Sequence, residues 1–208
     1  LLYTGDGGSS TAITGVGFQP DWVWIKRYNA SENHNLYDST RGVNKRIQSN
    51  RDVAETTEGL PAFGSDGFTV DASGGINNVS SQSYVAWNWR ANGGTTSTNS
   101  TGTVNATQQV DPSGGFSIST YAGTGSSMTV GHGLSAEPKL TIVKDRDATV
   151  NWIVYTKVID GSLDYFFLNT DAAAGDSGFT GPNSTIWNFD GSSSYSNTSG
   201  RNYIMYNF

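Results

Sequence analysis

Cysteine is absent from the 208 residues, so neither disulfides nor thiolate metal sites can staple the fold, and cysteine usage leaves the redox compartment undetermined. Charge is scarce too. Asp, Glu, Lys and Arg together make 14% of the chain, and the net charge of −6 disfavours a phosphate backbone as a partner. No basic stripe interleaved with aromatics offsets that balance, so nucleic acid is not an expected ligand. No apolar run approaches the roughly 18 residues of a membrane span, and no membrane partner is expected. Two histidines, His34 and His132, with no cysteine beside them, poorly supply a zinc centre or a Ser-His-acid triad, and no metal or other cofactor is implied. Helical periodicity is also missing: the best stretch, 41–58, has too few apolar residues for a stripe.

What is abundant instead is turn chemistry and large apolar side chains. Glycine numbers 26, hydrophobic residues make 35% and aromatics 12% of the chain. That profile, with much Ser, Thr and Asn, predicts short strands joined by many turns, in a chain long enough for one large or two small β cores. The chain opens at Leu1 without a methionine and stops inside an apolar run at Phe208, which suggests a segment of a longer polypeptide.

An internal repeat organises the sequence. The run Gly15-Val-Gly-Phe-Gln-Pro20-Asp-Trp22-Val-Trp24-Ile-Lys26 has a diverged partner, Gly133-Leu-Ser-Ala-Glu-Pro138-Lys-Leu140-Thr-Ile142-Val-Lys144, displaced by 118 positions. Each is a proline followed by β-prone residues, which predicts a strand entered from a fixed-φ turn. The same offset pairs Tyr3 with Tyr121, Gly5 with Gly123, Thr11 with Thr129, Asn33 with Asn151 and Tyr37 with Tyr155. After one inserted residue the offset is 119, and it pairs Asn50 with Asn169, Asn78 with Asn197, Ser80 with Ser199, Tyr84 with Tyr203 and Asn88 with Asn207. The expectation is an all-β fold of two tandem β-sandwich-like (jelly-roll-like) repeats, residues 1–90 and 116–208, standing apart or merged into one large sandwich. Between them, 91–115 reads as a linker or a hairpin, since a structureless loop of that length is improbable in a compact domain.

The runs Gly17-Phe-Gln-Pro-Asp-Trp22-Val-Trp24-Ile-Lys-Arg27, Asn33-His-Asn-Leu-Tyr-Asp-Ser-Thr-Arg-Gly42, Ser65-Asp-Gly-Phe68 and Tyr84-Val-Ala-Trp-Asn-Trp89 together resemble a repeat family in structural proteins of tailed phages, often of marine or aquatic bacteria. The second half, with Tyr121-Ala-Gly-Thr-Gly125 and Asn151-Trp-Ile-Val-Tyr155, is similar to the same family. The resemblance implies a virion component (tail fibre, adhesin or capsid appendage) located in an extracellular particle. Its partners would be other virion proteins, and a fibre role would imply a homo-oligomer such as a trimer. It carries over no catalytic residues.

Candidate chemistry must be weighed against plainer roles. Trp22 and Trp24 project from one face of a strand, as sugar-stacking platforms do. Their repeat partners are Leu140 and Ile142, which cannot stack a sugar ring but can fill a core, so the tryptophans are assigned to the interior. Val85, Trp87 and Trp89 face Ile204, Tyr206 and Phe208 in the same comparison and are assigned likewise. Asp66, Asp71, Glu55 and Glu58 are available for glycoside hydrolysis, but Glu55 and Glu58 match Ala174 and Ser177, and no enzyme is expected. Asp145-Arg146-Asp147 could offer oxygen ligands to calcium, although such aspartates more often cap turns. Arg41, Lys45, Arg46 and Arg51, followed by acidic residues, read as a solvated, self-neutralised surface. If the protein binds host-surface polysaccharide, the loop residues Tyr28, Asn29 and His34 in the first copy and Tyr195, Asn197 and Arg201 in the second are the expected contacts. A polysaccharide depolymerase is the remaining alternative.

Overall fold

Val23 and Ile25 leave the strand after Pro20 on one side, and Trp22 and Trp24 leave it on the other, so that strand separates a core from an outer face. In the computed structural model, which describes residues 1–208, the chain is all-β and forms two compact units. Unit 1 comprises Leu1–Asn50 and Glu55–Thr95; unit 2 comprises Arg51–Ala54 and Thr96–Phe208.

Unit 1 contains β1 (Leu2–Thr4), β2 (Thr11–Thr14), β3 (Trp22–Arg27), β4 (His34–Asp38), β5 (Lys45–Arg46), β6 (Thr56–Thr57), β7 (Ala62–Gly64), β8 (Gly67–Val70) and β9 (Ser83–Trp89). One antiparallel sheet runs β1-β9-β3-β4, a second runs β2-β8-β7, and β5 pairs with β6. Val23, Ile25, Tyr37, Tyr84 and Ala86 from the first sheet pack against Ile13, Phe68 and Val70 from the second. That is a sandwich core, produced by strict alternation along each strand.

Unit 2 contains β10 (Ser97–Asn99), β11 (Ala106–Asp111), β12 (Phe116–Ala122), β13 (Met128–Gly131), β14 (Leu140–Asp145), β15 (Ile153–Thr156), β16 (Asp164–Phe167), β17 (Gly175–Asp176), β18 (Gly181–Pro182), β19 (Ile186–Phe189) and β20 (Asn202–Asn207). Its large sheet runs β10-β11-β12-β20-β14-β15-β16-β17, and its small one β13-β19-β18. Tyr121, Val143, Tyr155, Tyr203 and Met205 pack against Met128, Val130, Trp187 and Phe189. Within 91–115, β10 and β11 pair with each other and β11 pairs with β12, extending the sheet.

The strand order β1-β9-β3-β4 of the first unit recurs as β12-β20-β14-β15 in the second, and β2-β8-β7 recurs as β13-β19-β18. Tyr3 opposes Tyr84 as Tyr121 opposes Tyr203, with ring centroids 4.9 and 5.2 Å apart. The Tyr3 hydroxyl donates to the Asn77 carbonyl and the Tyr121 hydroxyl to the Ser196 carbonyl, both at 2.8 Å. A Cβ on Gly5 would collide with the Val79 carbonyl, and one on Gly123 with that of Thr198. The repeated lysines clamp the turn after their own strand. Lys26 Nζ donates to the carbonyls of Arg27 and Ala30, and Lys144 Nζ to those of Asp145, Ala148 and Asp52.

One pairing read from the offset is corrected by register. Thr11 opposes Val70, whereas Met128 opposes Phe189, so Thr11 corresponds to Met128 and not to Thr129. The displacement along this strand is therefore one residue shorter than on either side of it. The basic cluster is corrected as well. Arg41 is buried, with its Nε 2.5 Å from Asp38 Oδ2 and Nη1 2.9 Å from Glu55 Oε2, so it ties a turn together and is not solvated.

Candidate functional site

Four of the six tryptophans fall on β3 and β9, and the register of those strands brings them together. Trp22 opposes Trp89 and Trp24 opposes Trp87 on the outer face. Directly opposed side chains on one sheet face sit close enough to pack. The centroids of Trp22 and Trp89 are 4.4 Å apart, of Trp22 and Trp24 5.8 Å, and of Trp24 and Trp87 6.2 Å. On β4, His34 lies edge-on to Trp24, and its Nδ1 accepts a hydrogen bond from the indole Nε1 at 2.8 Å.

That hydrogen bond fixes the imidazole. With Nδ1 accepting, the proton of the neutral ring sits on Nε2. Burial, and then the Lys26 charge, push the His34 pKa below its usual range. The ring is therefore neutral at pH 7 and presents Nε2–H as its donor.

Burial along this face is uneven. Trp22 is covered, Trp24 and Trp89 are half-buried, and Trp87 is 45% exposed. Trp24, His34, Trp87 and Trp89 line a shallow cavity of about 300 Å³. A second depression of about 460 Å³ lies beside it, sharing Trp87 and Trp89 and adding Val16, Phe18 and Asn88. Assigning all these aromatics to the interior is thus corrected. It holds for Trp22 and fails for Trp87.

The second copy supplies the contrast. Ile142 and Tyr206, in the places of Trp24 and Trp87, are buried, as is Trp152 in the place of His34. The same strand geometry serves a covered face in one unit and an open indole face in the other. Comparison of the repeats does not reveal this, because equal positions in the two copies do not have equal cover. The available signal was the indole excess itself, since Trp24, Trp87 and Trp89 stand where Ile142, Tyr206 and Phe208 suffice for packing.

Of the residues expected to contact polysaccharide, only His34 joins this cavity. Tyr28 is 56% exposed just after β3, and Asn29 is exposed while its Oδ1 accepts a bond from the Ser83 amide. Tyr195 lines a different cavity, of about 360 Å³, with Tyr165 and Phe179. Asn197 is corrected: it is fully buried. Its side chain accepts from the Thr124 and Gly125 amides and donates to the Ser126 and Gly191 carbonyls, so it fastens loops and cannot reach a ligand. Arg201 is half-buried and pairs with Asp145 Oδ2 at 3.0 Å.

The carboxylates considered for hydrolysis each have a local partner. Asp66 accepts from the Gly15 and Gly17 amides, Asp71 from Ser73, Glu55 pairs with Arg41, and Glu58 with Arg46. Asp145 Oδ1 accepts from the Asp147 and Ala148 amides, and Asp147 Oδ2 from Asn202, which is turn capping. His132 is buried, with Nδ1 accepting from the Leu134 amide and Nε2 bonded to the Asn183 carbonyl.

Over residues 1–208 the chain matches a family described as a domain of unknown function, DUF7483, and it belongs to that family. No curated protein and no solved structure matches it.

Proposed function

We propose that this chain is a non-catalytic building block of a virion surface that contributes to host attachment by holding carbohydrate against Trp24, Trp87 and Trp89. One observation carries the carbohydrate reading. Trp87 lies 45% exposed on a regular strand, while its counterpart Tyr206 is buried, so the fold does not require an open aromatic there. An indole face left in water costs free energy that a sugar's C–H face would recover by covering it, on the order of 1–2 kcal/mol. His34 Nε2–H supplies a polar contact of the kind that orients a ligand in such sites. The rigid sheet holds the rings in place before binding, so little ordering entropy is spent on complex formation.

The virion part of the reading rests on the resemblance of the Gly17–Arg27, Asn33–Gly42 and Tyr84–Trp89 runs to phage structural repeats. Two experiments test the proposal. An array of bacterial surface glycans, probed at protein concentrations adequate for millimolar affinity, is expected to give hits that Trp87→Ala loses. Mass spectrometry of purified particles is expected to find the chain in the virion. An array without hits contradicts the carbohydrate reading, and occurrence only in particle-free lysate contradicts the virion reading.

A further inference from the structure

The strand pair β16–β17 places Asp164 directly opposite Asp176. Like charges directly opposed on a sheet destabilise it, and here a third acid is present. One carboxylate oxygen from each of Asp160, Asp164 and Asp176 lies within 4.8 Å of the others. Asp160 is held in position by its own turn, its Oδ1 accepting from the Ser162 amide at 2.9 Å and hydroxyl at 2.7 Å.

An independent observation concerns Asp164 alone. It is only 5% exposed, and its Oδ2 is buried with no hydrogen-bond partner. A buried carboxylate oxygen without a partner carries a desolvation cost that a donor or a cation must offset.

The first unit shows the repeat without this problem. Its corresponding pair is β5–β6, where Lys45 stands opposite Thr57 and its Nζ is 3.5 Å from Thr57 Oγ1. One unit therefore has an ammonium facing a hydroxyl where the other has two facing carboxylates. The module folds with positive charge at this place, so the acidic trio is peculiar to the second unit.

We propose that Asp160, Asp164 and Asp176 bind a calcium ion that staples β16 to β17. The ligand set is oxygen only, which selects hard cations, and it joins a loop aspartate to two strand aspartates, suiting the adaptable shell of Ca²⁺ better than the strict octahedron of Mg²⁺. Three carboxylates leave roughly half of the six to eight oxygen positions to water and carbonyls, which implies a Kd on the order of 10⁻⁴–10⁻³ M.

The test is a thermal melt of the full chain, stripped with chelator and titrated with Ca²⁺ or Mg²⁺, for wild type and Asp164→Asn. Wild type is expected to gain about 3–5 °C at tenfold over Kd with Ca²⁺, and less with Mg²⁺. Asp164→Asn is expected to melt higher than chelated wild type, because the opposed charge is gone, and to lose the Ca²⁺ response. Asp176→Ser, at an exposed position, is expected to lose the response as well. An equal Ca²⁺ response in Asp164→Asn, no response in wild type, or a Mg²⁺ response as large as that to Ca²⁺ would overturn the assignment.

Discussion

Trp24 donates its indole Nε1–H to His34 Nδ1 at 2.8 Å, across neighbouring strands of the open sheet face. The bond requires an unprotonated Nδ1, so the order of the aromatic site depends on pH. His34 is held below its usual pKa by burial and by Lys26. Tryptophan fluorescence should fall on acidification with a midpoint below about 6.5 as the imidazolium forms. His34→Gln is expected to abolish the step. A midpoint above 6.5, or a step surviving in His34→Gln, would contradict this geometry.

Trp87 and Tyr206 occupy one position of the repeat with opposite burial. Tyr206→Ala should cost about 3–5 kcal/mol, as expected when a large ring leaves a packed interior. Trp87→Ala should change stability by less than about 1 kcal/mol. Denaturant melts of the two variants check the contrast, and similar losses in both would mean that Trp87 is not free to serve a ligand.

Lys144 is buried, and desolvation lowers its pKa from 10.5 to about 8 despite the opposing pull of Asp145 and Asp52. Below about 8 the amine is charged in both the folded and unfolded chain, and the buried charge weighs on the fold. Between about 8 and 10.5 the unfolded chain binds more protons than the folded one, so this group makes stability rise with pH. Lys144→Met should destabilise by about 2–4 kcal/mol at pH 7, because three carbonyls lose their donor. The gap between wild type and the variant should widen from pH 8 to 10. Buried tyrosines act in the opposite direction at higher pH, but they are common to both proteins and cancel in the difference. A constant gap would count against the depressed lysine.

Asn78 binds the loop between β1 and β2, and Asn197 the matching loop between β12 and β13. Asn78 donates to the Gly8 carbonyl and accepts from the Asp6 amide, and Asn197 bonds to four backbone groups. Substitution of either by Ala should cost about 2–4 kcal/mol, while array binding by folded Asn197→Ala should match wild type. Loss of glycan binding with stability intact would restore Asn197 as a contact residue.

The β class and the repeat could be read from the sequence because turn glycines, paired tyrosines and the proline-led strands recur at a nearly constant spacing. Asn33 with Asn50, and Asn151 with Asn169, are side-chain hydrogen-bonded pairs at 2.9 Å in each unit, which explains why those identities were visible. Other equivalences were hidden by changed chemistry. Arg27 donates to Gln82 in the first unit, and in the second Asp145 accepts from Arg201, so the contact persists while donor and acceptor exchange strands. The open face was illegible for a different reason. Alternation tells which side chains share a face, but what covers that face depends on distant parts of the chain. The acidic trio was missed because its members are drawn together only by the β16–β17 register.

Affinity electrophoresis in gels containing a polysaccharide identified on the array tests the central claim most directly, comparing wild type, Trp87→Ala and Tyr28→Ala. Wild type and Tyr28→Ala should be retarded, and Trp87→Ala should migrate as in a gel without polysaccharide. Equal retardation of wild type and Trp87→Ala would contradict the claim that the exposed indole face is where this protein holds carbohydrate.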